Sequence, residues 1–142
     1  MIIQGRFISD APYFAVRIES TNFQGDLMFL ADTGASLSTI LDRDAMLLKI
    51  PTATLEPLST PVVGIGGSVR AFIVRDVKFI FNSDNGTFTL QQNLCVVQHD
   101  LVKLPAPEIS RILRVPSVIG RDILNRFHLS YNYQTGIVQL EN

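Results

Sequence analysis

Short stretches in which apolar and polar side chains alternate, or in which β-branched residues run together, recur along the chain with turn-forming residues between them. A period of two is what a strand with one face on a core requires, and its recurrence predicts an all-β domain. Residues 13–19 (YFAVRIE) and 26–31 (DLMFLA) read as the first two strands, with the chain reversing between Ser20 and Gly25. Residues 69–81 (VRAFIVRDVKFIF) read as one long strand or two short ones. A hairpin turn, Asn82-Ser83-Asp84-Asn85-Gly86, then leads into TFTL, with Asn-Gly supplying the positive φ angles of a tight turn. Asp84 is a turn acid on this reading, without chemistry.

Two segments depart from the β pattern. Residues 42–50 (DRDAMLLKI) begin with an Asp able to cap amide groups and stop before Pro51, which predicts one or two helical turns. Residues 122–127 (DILNRF), after Gly120, repeat that logic. Pro105, Pro107 and Pro116 make residues 101–116 an irregular surface connection with room for one turn of helix. The segment LSYNYQTGIVQLE reads as a hairpin around Gln134-Thr135-Gly136. Tyr131 and Tyr133 alternate around Asn132 there, which suits either a hairpin covering its own core or an interface.

Composition narrows the function classes. A chain of 142 residues that is 46% hydrophobic has the size of one domain, 1–142, with a proper core. Twelve basic against 13 acidic residues, scattered without runs, give a net charge of −1 and no electrostatic footprint for nucleic acid or an anionic membrane. The single cysteine, Cys95 in LCVV, has no internal disulfide partner and reads as a buried thiol on a strand. The first residues, MIIQGRFISDAP, lack a basic segment followed by a long apolar one, and no apolar run reaches the ~18 residues of a membrane span. A soluble, cytoplasmic protein is the expectation. His99 and His128 have no metal-ligand spacing to a Cys, His or second acid, so neither metal nor cofactor is expected.

Candidate chemistry begins at FLADTGAS, residues 29–36, where an apolar strand runs into Asp32, Thr33 and Gly34. An Asp in that place can simply cap its own turn, and the triplet is weak as an isolated signal. Its company matters more. VVGIGGSVRAFIV sets Gly64, Ile65, Gly66 and Gly67 between two β-prone runs, a hairpin tip whose amides can approach a ligand backbone. GIGG lacks the Lys-Ser/Thr and helix of a phosphate cradle. SVIGRDIL then offers an apolar-apolar-Gly strand, Val118-Ile119-Gly120, able to pass tightly beside the turn holding Asp32.

In that order ADTGAS, GIGG and VIGRDIL resemble the retroviral-type (retropepsin-like) aspartic proteases, over the span from about Leu27 to Leu124. The resemblance implies a closed β-barrel resembling one half of a pepsin-like acid protease, with a flap hairpin and one or two short helices. It implies that Asp32 is the catalytic acid, that Thr33 joins interlocking hydrogen bonds beneath two active-site loops, and that Gly34, followed by Ala35, shapes the loop and offers its carbonyl to substrate. Gly64, Ile65, Gly66 and Gly67 would form the flap. Val118, Ile119 and Gly120 would support the catalytic loop, with Val118 lining a side-chain pocket.

The chemistry explains why such an acid is worth keeping. Peptide hydrolysis without a covalent intermediate needs a base for water and an acid for the carbonyl oxygen. Two carboxylates about 3 Å apart share one proton and supply both. One Asp-Thr-Gly occurs in this chain, so the second carboxylate must come from a second copy, which predicts a homodimer with a polypeptide substrate and no nucleic-acid or membrane partner. Two departures from the viral pattern stand out. Viral chains usually carry an acid where this one has Ser36, which leaves Arg121 without its expected partner unless Asp122 substitutes. The chain also continues past the point where viral chains end, through the hairpin LSYNYQTGIVQLE. A binding or dimerisation module that kept the fold and lost efficient turnover is the alternative.

Overall fold

The computed structural model describes residues 1–58 and 69–142. Gly64, Ile65, Gly66 and Gly67 lie outside the described residues. In chain order the strands are β1 (Ile2–Gln4), β2 (Arg6–Ile8), β3 (Ala11–Glu19), β4 (Gln24–Ala31), β5 (Thr39–Ile40), β6 (Glu56–Pro57), β7 (Val69–Ser83), β8 (Gly86–His99), β9 (Val118–Ile119), β10 (His128–Asn132) and β11 (Ile137–Glu141). Among the described residues three short helices join them: α1 (Asp42–Leu47), α2 (Ala106–Ile112) and α3 (Arg121–Leu124), with a 3₁₀ turn at Thr52–Thr54. The third of these, α2, fills the proline-rich connection in which the sequence left room for one turn of helix, and runs for seven residues after Pro105 at its N-cap.

The larger sheet runs β2-β3-β4-β9-β5-β8-β7-β6, and an additional β3–β7 pairing closes the six strands from β3 to β7 into a barrel. Alternation fills its inside. Phe14, Val16 and Ile18 of β3, Leu27 and Phe29 of β4, and Phe79 and Phe81 of β7 are buried together, with the Phe29 and Phe79 ring centroids 6.5 Å apart. Burial on β7 falls on Phe72 and Val74, then on Val77, Phe79 and Phe81, and the change of parity coincides with a register shift between Val74 and Val77. Asp76 takes a φ of 56° there, so β7 is one strand bent by a bulge. The smaller sheet, β1-β11-β10, contributes Ile3, Val138 and Leu140 to the same core.

Two turn assignments change. The hairpin between β7 and β8 pairs Ser83 with Gly86, and Gly86 takes the positive φ (105°) while Asn85 does not. Asp84 also does more than turn the chain: its Oδ1 accepts the Ile2 amide at 2.8 Å and its own amide donates to Ile2 O at 3.0 Å, which fastens β1. Asp42 does not cap α1. Leu41 occupies the cap position without a side-chain hydrogen bond, and Asp42 is turned inward.

Candidate active site

β4 delivers Asp32 to the edge of the barrel because β9 pairs alongside it in parallel, with Leu30 opposite Val118 and Ala31 opposite Ile119. The Asp32 amide donates to Ile119 O at 3.0 Å and ends the ladder. The chain then turns: the Gly34 amide donates to Asp32 Oδ1 at 2.8 Å, and the Ala35 amide to Asp32 O at 3.2 Å. Asp32 thus caps its own turn with one oxygen, while no hydrogen bond among the described residues reaches Oδ2. In the single chain Asp32 is half-buried and Thr33 and Gly34 are exposed, so the acid is not the enclosed group its apolar flank suggests.

Behind this loop runs a set of braces from the segment after β9. The Arg121 amide donates to Ala35 O at 2.8 Å, and Arg121 Nη1 donates to Thr33 O at 2.9 Å. Gly120 lies so close that a Cβ there would stand 2.8 Å from the Leu37 carbonyl carbon and 2.9 Å from Ala35 O; glycine is needed for backbone to meet backbone. Asp122 does not pair with Arg121. Its Oδ2 accepts the Ser38 amide at 2.9 Å and Gln92 Nε2 at 3.1 Å, and its Oδ1 accepts Ser38 Oγ at 2.7 Å and the Ile123 amide at 2.9 Å. Arg121 finds a carbonyl in place of an acid, and Asp122 finds a serine.

Two further carboxylates on α1, of which the sequence marks only Asp42 as a cap, hold the same region. Asp44, 4% exposed, accepts Ser117 Oγ at 2.6 Å, and that hydroxyl accepts the Leu41 amide at 3.1 Å. Asp42, also 4% exposed, accepts the His99 amide at 2.7 Å through Oδ1 and meets His99 Nδ1 at 2.6 Å through Oδ2. His99 is therefore tied to α1. No cluster of three or more metal-ligating side chains occurs among the described residues, and no described helix is long and apolar enough to cross a membrane. Cys95 is buried, and desolvation raises its thiol pKa, a rise the Thr39 hydrogen bond partly offsets.

Of the residues singled out in the sequence, Asp32, Thr33, Gly34 and Ala35 form the exposed loop, and Val118, Ile119 and Gly120 lie directly alongside it. Ile119 and Gly120 are buried, and Val118 is half-buried. Ser38, Gln92, Asp42, Asp44 and Ser117 were not foreseen. Ser38 and Ser117 carried a faint signal, being hydroxyls inside runs the fold buries; Gln92 carried none, since its role depends on Asp122 of α3, far away in sequence.

No protein-family model matches the chain, and no curated protein does. Solved structures do. The crystal structure of a retropepsin-like aspartic protease from Rickettsia conorii is similar over 99% of this chain and 88% of that one, at 20% identity and a TM-score of 0.57. The EIAV protease complexed with the inhibitor HBY-793 is similar over 84% of this chain and 89% of that one, at 21% identity and a TM-score of 0.47. The barrel, the β4–β9 pairing and the near-complete overlap with the rickettsial structure together give this chain the fold of the retropepsin-like aspartic proteases.

Proposed function

We propose that the chain is a homodimeric aspartic endopeptidase, in which two Asp32 carboxylates, one from each copy, activate a water between them. The observation that carries this reading is the state of Asp32: Oδ1 is fixed by the Gly34 amide, while Oδ2 takes no hydrogen bond among the described residues, on a loop held from behind by Arg121 and by the buried Gly120–Ser38 bond. A carboxylate positioned by one oxygen and open at the other suits proton exchange with a bound water. The unprotonated member of the pair takes a proton from water as the oxygen adds to the peptide carbonyl carbon, and the protonated member gives its proton to the carbonyl oxygen. Collapse of the resulting diol with proton transfer to nitrogen breaks the C–N bond. An extended polypeptide added as a strand is the fitting substrate, with Gly64, Ile65, Gly66 and Gly67 as its cover and Val118 against a side chain. A preference for apolar side chains beside the scissile bond follows.

One observation favours a second reading, a peptide-binding or dimerisation module with little turnover: the Gly34–Asp32 bond gives the acid a structural reason to exist. Asp32→Asn separates the two. The amide keeps an oxygen for the Gly34 amide, so the turn survives in either case, but it cannot exchange the proton. Loss of peptide cleavage with an unchanged thermal midpoint is the result expected for the peptidase; cleavage retained in the variant refutes it.

A further inference from the structure

The Ser38–Asp122–Gln92 cluster has no part in the hydrolytic chemistry itself, yet at its centre Asp122 accepts four hydrogen bonds, two on each oxygen. Ser38 is 0% exposed, and every polar atom it owns is occupied: the amide and hydroxyl donate to Asp122, the hydroxyl accepts the Gly120 amide at 3.0 Å, and the carbonyl accepts the Cys95 amide at 3.1 Å. Ser38 closes the loop that begins at Asp32. Gln92, the third member, sits on β8 opposite Val77, beside the bulge at Asp76. Beyond that bulge β7 and β8 run on to Val69 and His99, toward residues 59–68. Gln92 Oε1 is buried with no hydrogen-bond partner among the described residues, so the side chain is held by its single bond to Asp122.

We propose that Asp122 is a positioning residue for the peptidase, setting the Asp32 loop through Ser38 and tying it through Gln92 to the bulged arm of the β7–β8 hairpin; this rests on the peptidase reading. A carboxylate is needed because all four donors converge on it, two on each oxygen. A carboxamide would turn an NH₂ toward one pair of them; the Gln92 amide can flip and the Ser38 hydroxyl can rotate to accept from it, but a backbone amide, of Ser38 or of Ile123, is then left donor against donor. The loop would then lose its rear fixation without losing Asp32, and a small displacement of a reacting group lowers the chemical step far more than substrate capture.

The test compares Asp122→Asn, Ser38→Ala and Gln92→Leu with the native chain. The kcat is normalised to active sites titrated with a peptide bearing a non-cleavable tetrahedral alcohol, and amide hydrogen exchange is followed at Gly34 and Ala35. Asp122→Asn and Ser38→Ala are expected to lower normalised kcat by about 10- to 100-fold with KM within about threefold, and to speed exchange at both amides. Gln92→Leu removes one donor to Asp122 together with a buried oxygen that has no partner among the described residues, which limits its cost to the fold; it is expected to lower normalised kcat by a smaller factor of about three to ten. A merely structural role would reduce the titratable fraction and leave normalised kcat and the two amides alone, and that result overturns the proposal. If the native chain cleaves nothing while the two amides still loosen in the variants, the peptidase reading fails and the brace itself stands.

Discussion

Asp32 is held by one oxygen, with no hydrogen bond to the other among the described residues, and that division makes its substitution informative. Asp32→Asn should abolish peptide hydrolysis and shift the thermal midpoint by less than about 2 °C, because Asn at this position still accepts the Gly34 amide. Gly120→Ala should act in the opposite sense, on the fold first. Its methyl would meet the Leu37 carbonyl carbon at 2.8 Å, and backbone cannot give way cheaply, so a cost of about 2 kcal/mol and a midpoint lower by roughly 5 °C are expected in a calorimetric scan. Cys95 gives a third readout. With its pKa raised by burial, the folded thiol stays protonated where an unfolded one ionises, so it favours the fold fully below its ordinary pKa, a contribution lost as pH rises through the raised value. Alkylation of Cys95 in native protein should therefore be slow at pH 8 and become fast in denaturant; rapid native labelling would contradict its burial.

At the scale of elements, ties between strands and helices carry the arrangement. Asp42 joins α1 to the end of β8 through two bonds to His99, and Asp42→Ala should cost about 3 kcal/mol, read as a lower denaturation midpoint at unchanged slope. Glu56 on β6 and Arg75 on β7 form a bidentate pair at 2.9 and 3.0 Å where these strands flank residues 59–68. Arg75's hydrogen bond holds the Glu56 carboxyl below its ordinary range. Folded Glu56 therefore stays ionised to lower pH than in the unfolded chain, and its support is present at neutral pH and lost as pH falls through the lowered value. Both side chains are exposed, so the effect is local: exchange at the Leu58 amide, which donates to Ala71 O, should quicken on acidification in the native chain and be already quick in Glu56→Gln. These ties also show what the sequence could tell. Alternation located β3, β4 and the β7–β8 hairpin, since a period of two survives any tertiary context. Whether 69–81 was one strand or two turned on a bulge at Asp76 that alternation alone does not decide. Asp42 reads as a helix-start acid because local pattern favours caps, and only packing against His99 turned it inward, as packing against Ser117 did for Asp44. The loop of the site was legible from Asp32, Gly34 and Gly120, whereas its supports were not, because Ser38, Gln92 and Asp122 meet only through the barrel's closure.

At the scale of the whole molecule the proposal needs two copies. A single chain offers one Asp32 on an exposed loop, and its β1 is already paired with β11 within the chain. The N-terminal strand is thus occupied by its own chain. Activity per chain should fall on dilution in step with the dimer population seen by sedimentation, and a monomer that keeps full activity would show the second carboxylate to be unnecessary. The most direct test is cleavage of a peptide library by the native chain beside Asp32→Asn, with product ends identified by mass spectrometry. The account predicts discrete internal cuts next to apolar residues by the native chain and none by the variant; equal cutting by both, or none by either at concentrations where the native dimer is populated, would contradict it.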